Sequence, residues 1–223
     1  MVVDGHAVTA DETGRAHRRE AITELGDALR TLVEHATTTE VPTGDLLRAA
    51  AEIREVTARL GDRVRDRSTL SSADDLLGGV RMFNPVTGAG SALAPPLQIE
   101  VVAGVATGRC TLGRAFEGPP TFAHGGVSAM LLDQILGHAV VASGNPGMTV
   151  RLDTTYRAPV PLLTPLLLTA QVQDVAGRRV TATGTIATEA DPGTPLVTAT
   201  GTFVGLRAEQ THRLFGKLLR ADP

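Results

Sequence analysis

The chain has 223 residues, 42% hydrophobic and only 3% aromatic, and a formal charge of −3. That length allows one sizeable core, or a smaller core with an attached helical segment, and the scarcity of aromatic residues means a core built mainly from Val, Leu, Ile and Ala. The charge balance excludes the broad basic face that a nucleic-acid partner requires, but not the two or three local cations that suffice for a nucleotide-bearing ligand.

Cys110 is the only cysteine, which rules out an intrachain disulfide and a cysteine-held zinc and points to a reducing, cytoplasmic setting. The opening residues show no secretory pattern, and no membrane contact is expected. Six scattered histidines follow no metal-ligand spacing. No Walker-type or dinucleotide-binding glycine pattern and no G-x-S-x-G elbow is present, so no metal and no cofactor is expected.

In chain order, residues 1 to 15 read as a loose tail. Ile22, Leu25, Leu29, Leu32 and Val33 then mark one apolar helical face over about 16 to 35, and Leu46, Leu47, Ile53, Val56, Leu60 and Val64 a second over about 44 to 66. The Pro-containing segment between them predicts a helical hairpin, whose single stripes must be buried on the main domain or on a partner subunit. Residues 67 to 98, rich in Ser, Gly and Pro, read as an irregular connection.

From Ile99 the period changes to alternation, with strands expected over 99 to 107, 109 to 116, 149 to 157, 165 to 174, 179 to 188 and 196 to 206. Between the second and third lies a segment apolar nearly all round, 125 to 142, which marks a buried helix. The expected fold is α+β: an antiparallel sheet wrapped around one central helix. The domain plan is residues 1–98 for tail, helical hairpin and connection, 99–207 for the α+β domain and 208–223 for a C-terminal tail.

Asp133 is the only formally charged residue of the central helix, flanked by Leu131, Leu132, Ile135 and Leu136. A carboxylate there is costly unless hydrogen bonds or solvent reach it, so it marks either a general base or a helix position facing a wet interface. His124, Gly125 and Gly126 open the helix. Glycines at a helix start let a ligand approach free N–H groups and the positive end of the dipole, and they also relieve crowding where a strand meets a helix.

His124-Gly125-Gly126, Asp133 nine residues after the His, Met148-Thr149 and Tyr156-Arg157-Ala158-Pro159 together resemble the PaaI-like branch of the hotdog-fold thioesterases. The resemblance covers about 99 to 206. It implies acyl-CoA thioester hydrolysis by homodimers or dimers of dimers with sites at the subunit interface. It further implies Asp133 acting on water or the thioester, Gly126 with Gly125 as the oxyanion hole, Thr149 near the water, and His124 either ordering the turn or touching the thioester. By strand alternation alone, however, Thr149 shares a face with Arg151, Asp153 and Thr155, which could equally be solvent-facing. Arg157, Arg178 and Arg179 sit at strand ends, either as contacts for the phosphates of coenzyme A or as solvated surface.

Two rival readings remain. One is a hotdog enoyl-CoA hydratase or dehydratase, for which Asp133 and His138 would be the acid–base pair. Five residues apart, they lie about 140° apart around a helix, too far round to serve one atom easily. The other is a non-catalytic acyl-CoA-binding or scaffold protein, against which the presence of Asp133 argues.

Overall fold

A computed structural model describes residues 10–66, 69–76 and 78–216. Helices α1 (Ala10–Thr38) and α2 (Thr43–Gly61) are followed by an irregular segment and then by strands β1 (Gln98–Val102) and β2 (Val105–Thr111). A 3₁₀ turn (Arg114–Phe116) leads to helix α3 (Gly125–Ala142), then to β3 (Met148–Tyr156), β4 (Pro165–Ala176), β5 (Arg179–Thr188), β6 (Val197–Val204) and helix α4 (Ala208–Phe215). The six strands form one sheet in the order β1-β2-β4-β5-β6-β3, every pairing antiparallel. This is the expected hotdog arrangement, with α3 lying in the curve of the sheet.

The core is the meeting of α3 with the inner face of that sheet. Leu131, Leu132, Ile135 and Leu136 are fully buried, as are Leu166, Leu168, Ala182, Ile186 and Val197 on the strands. Each such side chain taken from water contributes about 1.5–3 kcal/mol. The helix comes close because glycines interrupt the inner face. A Cβ at Gly108 would lie 3.0 Å from Ile135 Cδ1, and one at Gly201 would lie 3.1 Å from Leu136 Cδ1. By length and composition α3 could cross a bilayer; its residues Leu131, Leu132, Ile135 and Leu136 belong instead to the domain core.

The first two strands differ from the sequence expectation. Their boundary falls not at Gly108 but at Ala103-Gly104, both at positive φ (49° and 80°), so that Val102 pairs with Val105 across a two-residue turn. Turns of this hand match the twist of the flanking strands. Gly108 lies mid-strand, where it makes room for the helix.

The two amino-terminal helices are present, but they part company. Helix α1 lies on the domain, with Gly26 buried against the backbone of Ala89 and Gly90. Its Arg30 donates to the carbonyls of Ala89 and Ser91, each at 2.8 Å. Helix α2 has no buried residue, and Leu46, Leu47, Ile53, Val56 and Leu60 on its stripe are exposed. The expected burial of both stripes is therefore not met within one chain: on the α1 stripe only Ile22 and Leu29 are half-buried, while Leu25, Leu32 and Val33 stay exposed. At the other end, residues 208 to 215 form α4 where a tail was expected. Gln210 at the third helical position accepts from the Arg207 N–H at 2.9 Å, the half of a capping box that fixes a helix start. Residues 1–9 of the expected N-terminal tail and 217–223 of the C-terminal one lie outside the described residues.

Candidate active site

Helix α3 begins at His124, whose extended backbone (φ −60°, ψ 133°) makes it the N-cap. Its Nδ1 accepts the Gly126 N–H at 3.0 Å, and its carbonyl accepts the Val127 N–H at 2.9 Å. Of the amides at this terminus, the Gly126 N–H is thus already engaged by the imidazole. The Gly125 N–H has no acceptor among the described residues. Both glycines were expected to offer their amides, with Gly126 foremost; in this geometry Gly125 carries the free one.

The turn is held on two sides. The His124 N–H donates to the Phe116 carbonyl at 2.9 Å, and Tyr156 Oη donates to the Gly125 carbonyl at 2.9 Å. Phe116 closes the 3₁₀ turn, whose first amides, of Arg114 and Ala115, donate to the Glu34 carboxylate of α1 at 3.0 and 3.2 Å. Gly113 is needed there because the Glu34 carboxylate occupies the space a Cβ would take. A short relay of hydrogen bonds therefore runs from α1 to the glycine turn. Glu34 was not singled out from the sequence, since it lies 80 residues from its partner; Tyr156 stood in the family motif, but without a role.

Asp133, half-buried, sits two turns into α3. Its Oδ1 accepts from Thr149 Oγ1 at 2.8 Å. Strand alternation put Thr149 on the face of Arg151 and Asp153, and the pairing of β3 with β6 corrects this. Thr149 lies opposite Phe203 and Arg151 opposite Thr202, with Val150 as the extra residue of a β-bulge between them. Phe203 is buried in the core, so Thr149 turns to the helix side while Arg151 and Asp153 stay outside. Bulges re-aim side chains in this way beside functional sites. On the outer face Arg151 Nε donates to Asp153 at 2.6 Å; that hydrogen bond holds the Asp153 carboxyl below its ordinary range.

The three arginines are not brought together in one chain. Arg157 follows Tyr156 at one end of β3, whereas Arg178 and Arg179 lie by Val204 and Gly205, level with Met148 at the other. Eight residues of strand separate the two ends by about 26 Å. Arg178 Nη1 donates to the Gly205 carbonyl at 2.7 Å. His138 is half-buried on α3, and burial lowers its pKa; its side chain is not paired with Asp133, whose hydrogen bond is to Thr149. Among the described residues no group of three or more His, Cys, Asp or Glu could hold a metal.

Residues 121–193 match the sequence profile of the thioesterase superfamily. A crystal structure of a thioesterase superfamily protein is 36% identical, with a TM-score of 0.73, and the match covers 82% of this chain and 94% of that one. The chain belongs to the thioesterase superfamily. Among curated proteins, acyl-coenzyme A thioesterase THEM4 of Mus musculus is 34% identical over 98 residues, 44% of this chain and 42% of that protein. The Rattus norvegicus protein of the same name is 33% identical over 94 residues, 42% of this chain and 40% of the relative. The chain thus spans well under half the length of these relatives.

Proposed function

We propose that the protein hydrolyses an acyl-CoA thioester, in sites that two copies of the chain build together. The observation that carries this reading is the Asp133–Thr149 hydrogen bond on the open side of a helix whose amino terminus presents a free amide. Hydrolysis needs an activated water and a stabilised oxyanion, and these groups are of the kind that supply both. The matching region in proteins named acyl-coenzyme A thioesterase supports the substrate class.

In this mechanism the Thr149 hydroxyl keeps its proton in the hydrogen bond to Asp133 and accepts a hydrogen bond from the attacking water, which orients that water. Asp133 takes a proton as the water oxygen bonds to the thioester carbon. The carbonyl electrons move onto oxygen, where the Gly125 N–H and the dipole of α3 meet the developing charge. Collapse of the tetrahedral adduct expels the coenzyme A thiolate, which recovers the proton from Asp133.

A single chain is poorly arranged for this. Gly125 and Asp133 are eight residues apart, about 12 Å along the helix. Gly125 is tied through Tyr156 to one end of β3, and Asp133 through Thr149 to the other. Strand β3 is an edge, hydrogen-bonded only to β6, with Met148, Val150 and Tyr156 exposed. Pairing it antiparallel with its copy about Leu152 sets the Tyr156 end against the Met148 end. Gly125 then meets Asp133 of the partner subunit, and Arg157 approaches Arg178 and Arg179 of the partner subunit, a cluster fit for phosphate.

The test is thiol release across a panel of acyl-CoAs of increasing chain length, with binding measured on the same panel. Turnover with saturation supports the reading; tight binding without release would make this a binding protein instead.

A further inference from the structure

Beside the amino terminus of α3 lies a cavity of about 360 Å³. Pro119, Phe122 and Val160 give it apolar walls, and Gly125, Tyr156 and Ser128 line it as well. Ser128 is 1% exposed, and its hydroxyl, which keeps a trace of contact with the cavity, has no hydrogen-bond partner among the described residues. A helical serine commonly gives its hydroxyl to the carbonyl one turn back; this one does not. A hydroxyl almost withdrawn from water and without a protein partner gains from any acceptor or donor that enters the cavity, and such a group in a native protein calls for an explanation. Gly125, the residue with the free amide, lines the same cavity, so a carbonyl held on that amide can send a substituent directly inside.

We propose that this cavity is the acyl pocket and that Ser128 makes it selective for short acyl groups carrying a hydroxyl or keto oxygen. The inference rests on the thioesterase reading above. At about 30 Å³ per non-hydrogen atom, the share of a water molecule in the liquid, the cavity holds roughly a dozen atoms. The pantetheine arm of coenzyme A is longer and carries two amides that these walls would leave unpaired. A plain alkyl chain leaves the Ser128 hydroxyl without a partner, whereas an oxygen on the chain satisfies it. Sites that hydrogen-bond a substrate atom discriminate more sharply than apolar pockets do.

The experiment measures kcat/KM of the full-length protein for hexanoyl-CoA and for its 3-, 5- and 6-hydroxy derivatives, in wild type, Ser128→Ala and Ser128→Thr. Wild type should prefer at least one hydroxylated substrate by roughly tenfold, the size of one net hydrogen bond. Ser128→Ala should abolish that ratio, and Ser128→Thr should keep part of it. An equal ratio in wild type and Ser128→Ala overturns the proposal. So does a uniform slowing of all four substrates by Ser128→Ala, which would place the pantetheine arm in the cavity. If wild type turns over none of them, the thioesterase reading has failed. Competition binding of the hydroxylated and plain acyl-CoAs to the same three proteins then decides the role of Ser128 separately.

Discussion

Thr149 donates its hydroxyl proton to Asp133 at 2.8 Å across 16 residues of sequence, and it can do so only because Val150 is extruded as a bulge. Asp133→Asn keeps the size of the side chain but cannot take a proton. It should lower kcat by about 10²–10⁴-fold while circular dichroism and the melting temperature remain close to wild type. Thr149→Ser should keep most of the activity and Thr149→Val should lose much of it. Near-normal turnover by Asp133→Asn would remove the carboxylate from the mechanism.

The sharing of sites can be read by complementation. Gly125 is the first helical position, where proline fits, and His124 before it already has the extended backbone that a proline demands. Gly125→Pro therefore deletes the free N–H at little structural cost. Alone, Gly125→Pro and Asp133→Ala should each be inactive. Co-refolded one to one with random pairing, half of the dimers are mixed and each holds one intact site, so activity should return to roughly a quarter of wild type. Verified mixed dimers with no activity would place both residues in one chain's site.

Glu34 anchors the 3₁₀ turn that carries Phe116, and Phe116 holds His124. Glu34→Ala should destabilise the protein by about 1–2 kcal/mol, the loss of two hydrogen bonds to a half-buried carboxylate. Gly113→Ala, whose methyl group would take the place of that carboxylate, should reproduce the loss without altering Glu34. Urea titration of both variants checks this. If Gly113→Ala is as stable as wild type, the carboxylate is not bound where the geometry has it.

Burial pushes the Cys110 thiol from 9.0 up to about 12. In the folded protein it should react slowly with a disulfide reagent at pH 8, and denaturant should release full reactivity. The unfolded thiol ionises near 9.0 and the folded one only near 12. Stability from this group is therefore complete below pH 9 and is lost as the pH rises between the two values. A folded protein labelled within seconds at pH 8 would show the thiol to be accessible and ionised.

Much was set by local pattern. The apolar run from Gly125 to Ala142 encodes a helix that must set its leucines into a core wherever it lies, and Asp133 stands out against that background. The alternation of Val180, Ala182 and Ile186 with threonines specifies the inner face of β5, and the same holds for Val197, Ala199 and Phe203 on β6. The joint spacing of His124-Gly125-Gly126, Asp133 and Thr149 pointed to the family.

What pairing and packing decide was not legible. Whether Thr149 faces the helix depends on one extruded residue in β3, and a bulge is a property of two strands in register, not of one strand's sequence. Which glycine amide is free depends on the rotation of the His124 ring. The place of α1 depends on Glu34 and Arg30 finding backbone groups some 60 to 80 residues away. Sequence periodicity thus determined the elements and their faces, because side-chain direction follows from local backbone geometry. Only the tertiary structure decided which polar groups meet, because a hydrogen bond between distant residues is fixed by the packing of whole elements to within a fraction of an ångström.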